Sequence, residues 1–310
     1  MGGAESRLAR IIAWRLMGTP AGLKPIPPVS RLSANVVRVL GCNPGPMTLQ
    51  GTNTYILGTG SERILIDTGE QGNTEYLTNL KAVLAEDKAR ISQIVLTHWH
   101  ADHIGGLAGV LSAGCTTERP KVRKFRRAED DRTAALRAVD HFEDGDRLTV
   151  DGATIRAVYS PGHTVDHISL FLEDNSALFS GDCILGEGSS VFENYPTYMK
   201  SLAKLHSLKP VVIYPAHGSV LENGSDAIEK YINHRLQRET EILAALQKAY
   251  PGESTVDELV ALIYPKLNMV IRRAAAGNVV HQLEKLIDEG RVENCGEDRY
   301  RLIQQSSPTT

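Results

Sequence analysis

Three histidines and an aspartate crowd six positions of the stretch LTHWHADHIGG: His98, His100, Asp102 and His103. Imidazole and carboxylate are ligands that Zn²⁺ prefers. His98 and His100, two apart on an extended segment, can reach one ion together. Asp102 and His103, further round the turn, would face a second. Three more ligand-type residues stand later in the chain, His163, Asp182 and His217. His163 would complete the first site and His217 the second, while Asp182 can bridge through its two oxygens. Two metals about 3.5–4 Å apart share a hydroxide and clamp both oxygens of a displacement. The chemistry expected is hydrolysis with a metal-bridging hydroxide as nucleophile. Asp102 and Asp182 are the protein groups assigned to catalysis.

These residues need rigid supports. RILIDTG ends at Asp67, ISQIVLTHWHADH in the cluster, AVYSPGHT at His163, ALFSGDC at Asp182 and PVVIYPAHG at His217. Short apolar runs bounded by Gly and Pro suit strands buried on both faces. Ligands just beyond several strand ends can converge at one sheet edge, where open α/β sheets bind their ligands. NVVRVLG, NTYILGTG and ERILIDTG read as antiparallel strands joined by Gly turns. The expected fold is α+β, a sandwich of mixed sheets with helices outside, over residues 32–225.

The character changes at Asp226. A long amphipathic helix runs to Pro251-Gly252, and Thr255 and Glu258 then stand at capping-box spacing. A third helix and a closing hairpin follow. Residues 226–310 therefore read as a small winged-helix-like module. Its last sixty residues carry more acids than bases, so packing or dimerisation is expected of it rather than groove reading. Residues 1–31 form an N-terminal extension with Arg7, Arg10 and Arg15 and a Pro-rich linker. A targeting segment and a frayed tail both fit it.

The 310 residues are 42% hydrophobic and 23% charged, with net charge −3. That balance gives no global pull toward nucleic acid or anionic membrane. No apolar run is long enough for a membrane span. Four scattered cysteines without a CxxC pair read as free thiols in a reducing compartment. Cys183 adjoins Asp182, but neighbours on an extended segment point opposite ways, so it is expected to pack.

THWHADH, DTG, PGHT, SGDC and PAHG, in that order, resemble the metallo-β-lactamase superfamily. The resemblance implies an αββα sandwich with metals at one edge and two Zn²⁺ per chain. By motif, His98, His100 and His163 hold the first zinc. Asp102, His103 and His217 hold the second, and Asp182 bridges. Asp67 is implied to orient a ligand histidine, and His167 is placed behind the ligands as well. RVLGCNPGPMTLQGTNTYILGTG, SGDCILGEGSSVFE and the helical tail resemble a glyoxalase II-like subgroup of mitochondrial endoribonucleases acting on single-stranded RNA. That implies phosphodiester hydrolysis in the mitochondrial matrix, with the cytoplasm as alternative, and a winged-helix tail.

RNA needs a local basic surface. KVRKFRR, read as a loop, offers Lys121, Arg123, Lys124, Arg126 and Arg127. Tyr195 and Tyr198 are assigned to base stacking, against core packing as the plainer reading. Asn53 in GTNTY is set facing the site, against a turn role. The alternative activity is a thioesterase, of the glyoxalase II or acyl-carrier type, on the same metal set. A homodimer stays open.

Overall fold

The computed structural model describes residues 23–127, 139–249, 251–265, 267 and 269–303. Most of the extension expected at 1–31, including its three arginines, lies outside them. In chain order the elements begin with β1 (Val29–Ser33), β2 (Val36–Leu40), β3 (Asn53–Leu57), β4 (Glu62–Ile66) and α1 (Thr74–Glu86). β5 (Arg90–Leu96), α2 (Ala101–Ile104), α3 (Leu107–Ser112), β6 (Thr116–Phe125) and β7 (Asp140–Phe142) follow. Then come β8 (Arg147–Val150), β9 (Ala153–Tyr159), β10 (Ile168–Leu172), β11 (Ala177–Gly181), α4 (Tyr195–Ser207) and β12 (Val212–Pro215). α5 (Gly224–Ala249), β13 (Ser254–Thr255), α6 (Val256–Ile263), α7 (Met269–Asp288), β14 (Val292–Gly296) and β15 (Arg299–Leu302) complete the chain.

β1 to β7 form one sheet in sequence order, antiparallel up to β4 and parallel from β4 to β7. The second sheet runs β12-β11-β10-β9-β8, with β11 and β12 parallel. The antiparallel strands read from sequence as β2, β3 and β4 pair as expected. A third, small sheet of β13, β15 and β14 lies beside α6 and α7 and supplies the wing.

The side-chain period of two decides the layers. Ile64 and Ile66 of β4 face the space between the sheets, among Tyr55, Ile155 and Phe179. Leu65 points the other way, onto Tyr76 and Leu80 of α1. Across the molecule Val158, Leu178 and Ile213 meet Tyr198, Leu202 and Ile228 of α4 and α5. The result is helix, sheet, sheet, helix. Each fully buried side chain of this size contributes about 1.5–3 kcal/mol. A fourth cluster joins Ile242 and Leu246 of α5 with Leu259 of α6, Val279 and Leu283 of α7, and Val292. The capping box of Thr255 and Glu258 is formed at the start of α6.

One local reading is corrected. KVRKFRR is not a loop, since Lys121 to Phe125 belong to the ten-residue strand β6. Its inward row is Val122 and Lys124, and a lysine at an inward position hides the alternation that marks a strand.

Candidate metal centre

Strand direction explains why the ligands meet. β4 and β5 are parallel, so Asp67 and His98 leave the sheet at the same edge. β11 and β12 are parallel too, and Asp182 and His217 leave together. An isolated bridge, Thr52 to His217, ties that end of one sheet to the other. Two glycines are required by close approach. Gly181 has φ +51, and a Cβ there would meet His167 Nε2 at 2.5 Å. Gly162 has φ +127, with Tyr198 backbone 2.4 Å from where a Cβ would sit.

The seven ligand-type residues form two groups. His98, His100, His163 and Asp182 make the first, and Asp102, His103 and His217 the second, with ligand atoms within 4.8 Å of one another in each. His98 Nε2 lies 2.9 Å from His100 Nδ1, which lies 3.2 Å from His163 Nε2. Asp182 divides its carboxylate between them. Oδ2 faces His163 Nε2 at 3.5 Å and His98 Nε2 at 3.8 Å. Oδ1 faces His217 Nε2 at 3.2 Å and His103 Nε2 at 3.6 Å. Asp102 Oδ2 is 3.2 Å from His103 Nε2 and 3.3 Å from His217 Nε2.

The surrounding residues fix which atom each ligand presents. Asp67 Oδ2 takes His103 Nδ1 at 2.8 Å, and its Oδ1 accepts the Thr97 N–H at 2.8 Å, leaving His103 Nε2 to the centre. Asp67 holds φ 59, an uncommon conformation for a non-glycine residue. His163 Nδ1 donates to the Val191 carbonyl at 2.8 Å, so Nε2 points inward. The Asp182 N–H donates to His167 Nε2 at 3.1 Å, and Ser160 meets the other ring nitrogen. His167 therefore orients the Asp182 peptide. Its pKa is pushed down to about 3, first by burial and then by His163. Thr52, unnoticed in the sequence, donates to Asp102 Oδ2 at 2.8 Å and is itself held by Asn43.

Charge is sorted in the same way. Burial, then neighbouring imidazoles, hold His98 well below its usual range, and His100 is lowered to about 4 by burial first and His163 second. Burial opposes a charge on His217, yet Asp182 and Asp102 outweigh it and raise its pKa to about 10. Burial likewise opposes ionisation of Asp182, and His217 and His103 outweigh it. His103 Nε2 and Asp182 Oδ1 are buried without a hydrogen-bond partner. A cation between them would satisfy both, so the donor set fits divalent metal.

The centre opens into a cleft of about 360 Å³. Met47 and Leu49 line one part, and Leu267, Ile271 and Ala275 from the C-terminal module line another. No sequence signal pointed to the latter.

Tyr195 and Tyr198 are fully buried in the α4 core, Tyr198 donating to the Cys183 carbonyl at 2.6 Å, so neither can stack on a base. Lys124 is 2% exposed and pairs with buried Asp166 at 3.4 Å, so it is no part of a basic surface. Asn53 is buried and donates to the Pro215 and Gly218 carbonyls, at 2.8 and 2.9 Å, strapping the His217 segment instead of meeting substrate. Lys121 and Arg126 are exposed, and Arg123 lies over Phe142. The Arg127 guanidinium lies 4.2 Å from the ring centre of Trp99, the residue between His98 and His100. Cys183 is buried in the core, as its spacing required.

The fold, the split carboxylate and the ligand order define a class of hydrolase. Residues 47–217 match the Metallo-beta-lactamase superfamily, and residues 255–300 match the Beta-lactamase associated winged helix domain. The chain belongs to the metallo-β-lactamase superfamily, whose members include metal-dependent hydrolases. It is 44% identical to the beta-lactamase-like protein 2 homolog of Caenorhabditis elegans, over 92% of this chain and 95% of that one. It is 43% identical to the homolog of Drosophila melanogaster, over 91% and 98%. A lactamase-like protein nscB of Trichophyton equinum is 39% identical, over 89% and 84%. A beta-lactamase domain protein of Burkholderia ambifaria shares the fold with TM-score 0.74 at 18% identity, over 91% and 96% of the two chains.

Proposed function

We propose that this protein is an endoribonuclease that hydrolyses phosphodiester bonds of single-stranded RNA, with two zinc ions. The observation that carries the reading is the end of β6. Leu96 of β5 pairs with Lys124 of β6 in parallel register, so Arg126 and Arg127 continue beside His98 and Trp99. Arg127 stacked on Trp99 puts a cation and an aromatic face one residue from two ligands. That pairing suits a phosphate and an unstacked base. Lys121 and Arg126 add exposed positive charge in the same segment.

His98, His100 and His163 would hold one ion, Asp102, His103 and His217 the other, and Asp182 would serve both. Ions held there supply a water of lowered pKa and neutralise charge on the transferred group. The protein's own part is to fix those groups before substrate arrives. Asp67 and Val191 present His103 and His163 through Nε2. Thr52 holds the Asp102 oxygen that lies nearest His103 and His217. Asp102 and Asp182 stay ionised among the imidazoles, although burial works against both. No serine or cysteine nucleophile is required.

A second reading, hydrolysis of an acyl thioester, is favoured by the cleft. Its lining includes Met47, Leu49, Leu185, Leu267 and Ile271, and no Lys or Arg among the described residues. Purified protein offered single-stranded RNA, a glutathione thioester and an acyl-carrier thioester side by side separates the two. RNA cleavage abolished by His98→Ala and Asp182→Ala, and weakened by Arg127→Ala, is the expected result. Rapid thioester turnover with RNA left intact would overturn it.

A further inference from the structure

The two-residue segment Ser190-Val191 links the C-terminal helices to the first metal cluster. The Val191 carbonyl that accepts from His163 Nδ1 follows directly on Ser190, whose hydroxyl donates to the same carbonyl at 2.8 Å. Both backbone groups of Ser190 are held from outside the sandwich. Its N–H donates to the Tyr231 hydroxyl of α5 at 2.7 Å. Its carbonyl accepts from the Arg235 guanidinium of α5 and from the Asn278 amide of α7, the latter at 3.2 Å.

Arg235 is an unusual residue to find there. It is 2% exposed, and among the described residues it makes no ion pair. Three rings surround it instead, Phe192 at 5.1 Å and Tyr198 and Tyr231 at 5.5 Å. A buried cation is costly to desolvate, and aromatic faces recover part of that cost. An apolar side chain would fill the space without the penalty, but it could not donate to Ser190.

We infer that Arg235 and Asn278 are positioning residues for His163. Through the Ser190 carbonyl they set the Val191 acceptor. That acceptor holds the proton on Nδ1 and turns Nε2 toward His100 and Asp182. A histidine whose other nitrogen loses its acceptor is free to change tautomer and ring orientation, and it binds metal less well. The winged-helix module is thereby a working part of the metal centre, although none of its residues is a ligand. This assignment concerns the clusters alone and is independent of the substrate.

The test uses the full chain, stripped of metal and reloaded with Co²⁺. Asn278→Ala and Arg235→Met should each bind Co²⁺ about tenfold more weakly in competition with a chromophoric chelator. The visible Co²⁺ bands should change in both. Arg235→Lys, which keeps a cation and a donor, should recover most of the affinity and the spectrum. Melting of the metal-free variants gives the purely structural effect separately. A folded Asn278→Ala with wild-type Co²⁺ affinity and spectrum would overturn the inference, as would a lowered melting temperature with unchanged metal binding. If Arg235→Met does not fold, Asn278→Ala decides the matter alone.

Discussion

Asp67 stands behind the ligands and spends both carboxylate oxygens there, one on the Thr97 N–H and one on His103 Nδ1. Its positive φ places the side chain back under the strand end it has just left. Partners of this kind usually change metal affinity or activity by about 10–100-fold when removed. Asp67→Ala should therefore weaken metal binding by roughly that factor, read by chelator competition on folded protein. Unchanged affinity would mean that Thr97, whose hydroxyl lies 3.5 Å from His103 Nδ1, orients the ring without help. At this scale the sequence was informative. Ligand types repeated beyond five strand ends, and each ligand is a local neighbour of the apolar run that positions it. The supports were less legible. Thr52 and Val191 act through a hydroxyl and a backbone carbonyl, which no residue type announces.

β6 has two faces with different duties. Lys121 is exposed, as is Arg126 just past the strand end, whereas Lys124 is turned inward to Asp166, itself held by Thr164. Removing one member of a buried pair leaves a charge uncompensated, at a cost of about 3–5 kcal/mol. Lys124→Met should lower stability by about that amount, while Lys121→Met should stay within about 0.5 kcal/mol. Denaturant midpoints measure both, and equal losses would contradict the assignment of faces. Under the proposed RNA activity, Arg126→Ala and Arg127→Ala, just past the strand, should raise KM and each reduce the salt dependence by about one unit of slope. The segment looked like a basic loop because its inward residue is itself basic. A buried partner far along the chain, Asp166, helps make that inward placement tenable.

Across the whole molecule, the buried histidines set how stability follows pH. In metal-free protein His100 is held down to about 4, mainly by burial, and His217 is raised to about 10 by its carboxylates against its burial. Unfolded imidazoles titrate near about 6.5. From about 4 to 6.5 the unfolded chain binds the extra proton, so stability rises with pH. From about 6.5 to 10 the folded chain keeps the proton on His217, so stability falls as pH climbs. The metal-free melting temperature should peak near about pH 6.5. Metal competes with those protons, so loaded protein should melt higher, and its margin over metal-free protein should widen above pH 7. Thermal scans with and without chelator check this; a metal-free curve still climbing at pH 8 would contradict it.

The sequence by itself determined the sandwich, the superfamily and the seven ligand-type residues that cluster at its edge. Those depend on short-range order, apolar runs of strand length and ligands one or two residues beyond them. Tertiary structure supplied the geometry behind the division of those residues into two groups, because Asp182 can face both groups only when β5 and β11 end at one edge of the sandwich. It also decided that Tyr195 and Tyr198 are core, since an aromatic on an amphipathic helix reads the same whether it faces a base or a sheet. The cleft wall at Leu267 and Ile271 and the Ser190 grip of Arg235 and Asn278 belong to the same group. These residues lie far along the chain from the ligands they serve. Contact between such distant segments is set by packing of α5 and α7 against the sandwich, and no local pattern encodes it.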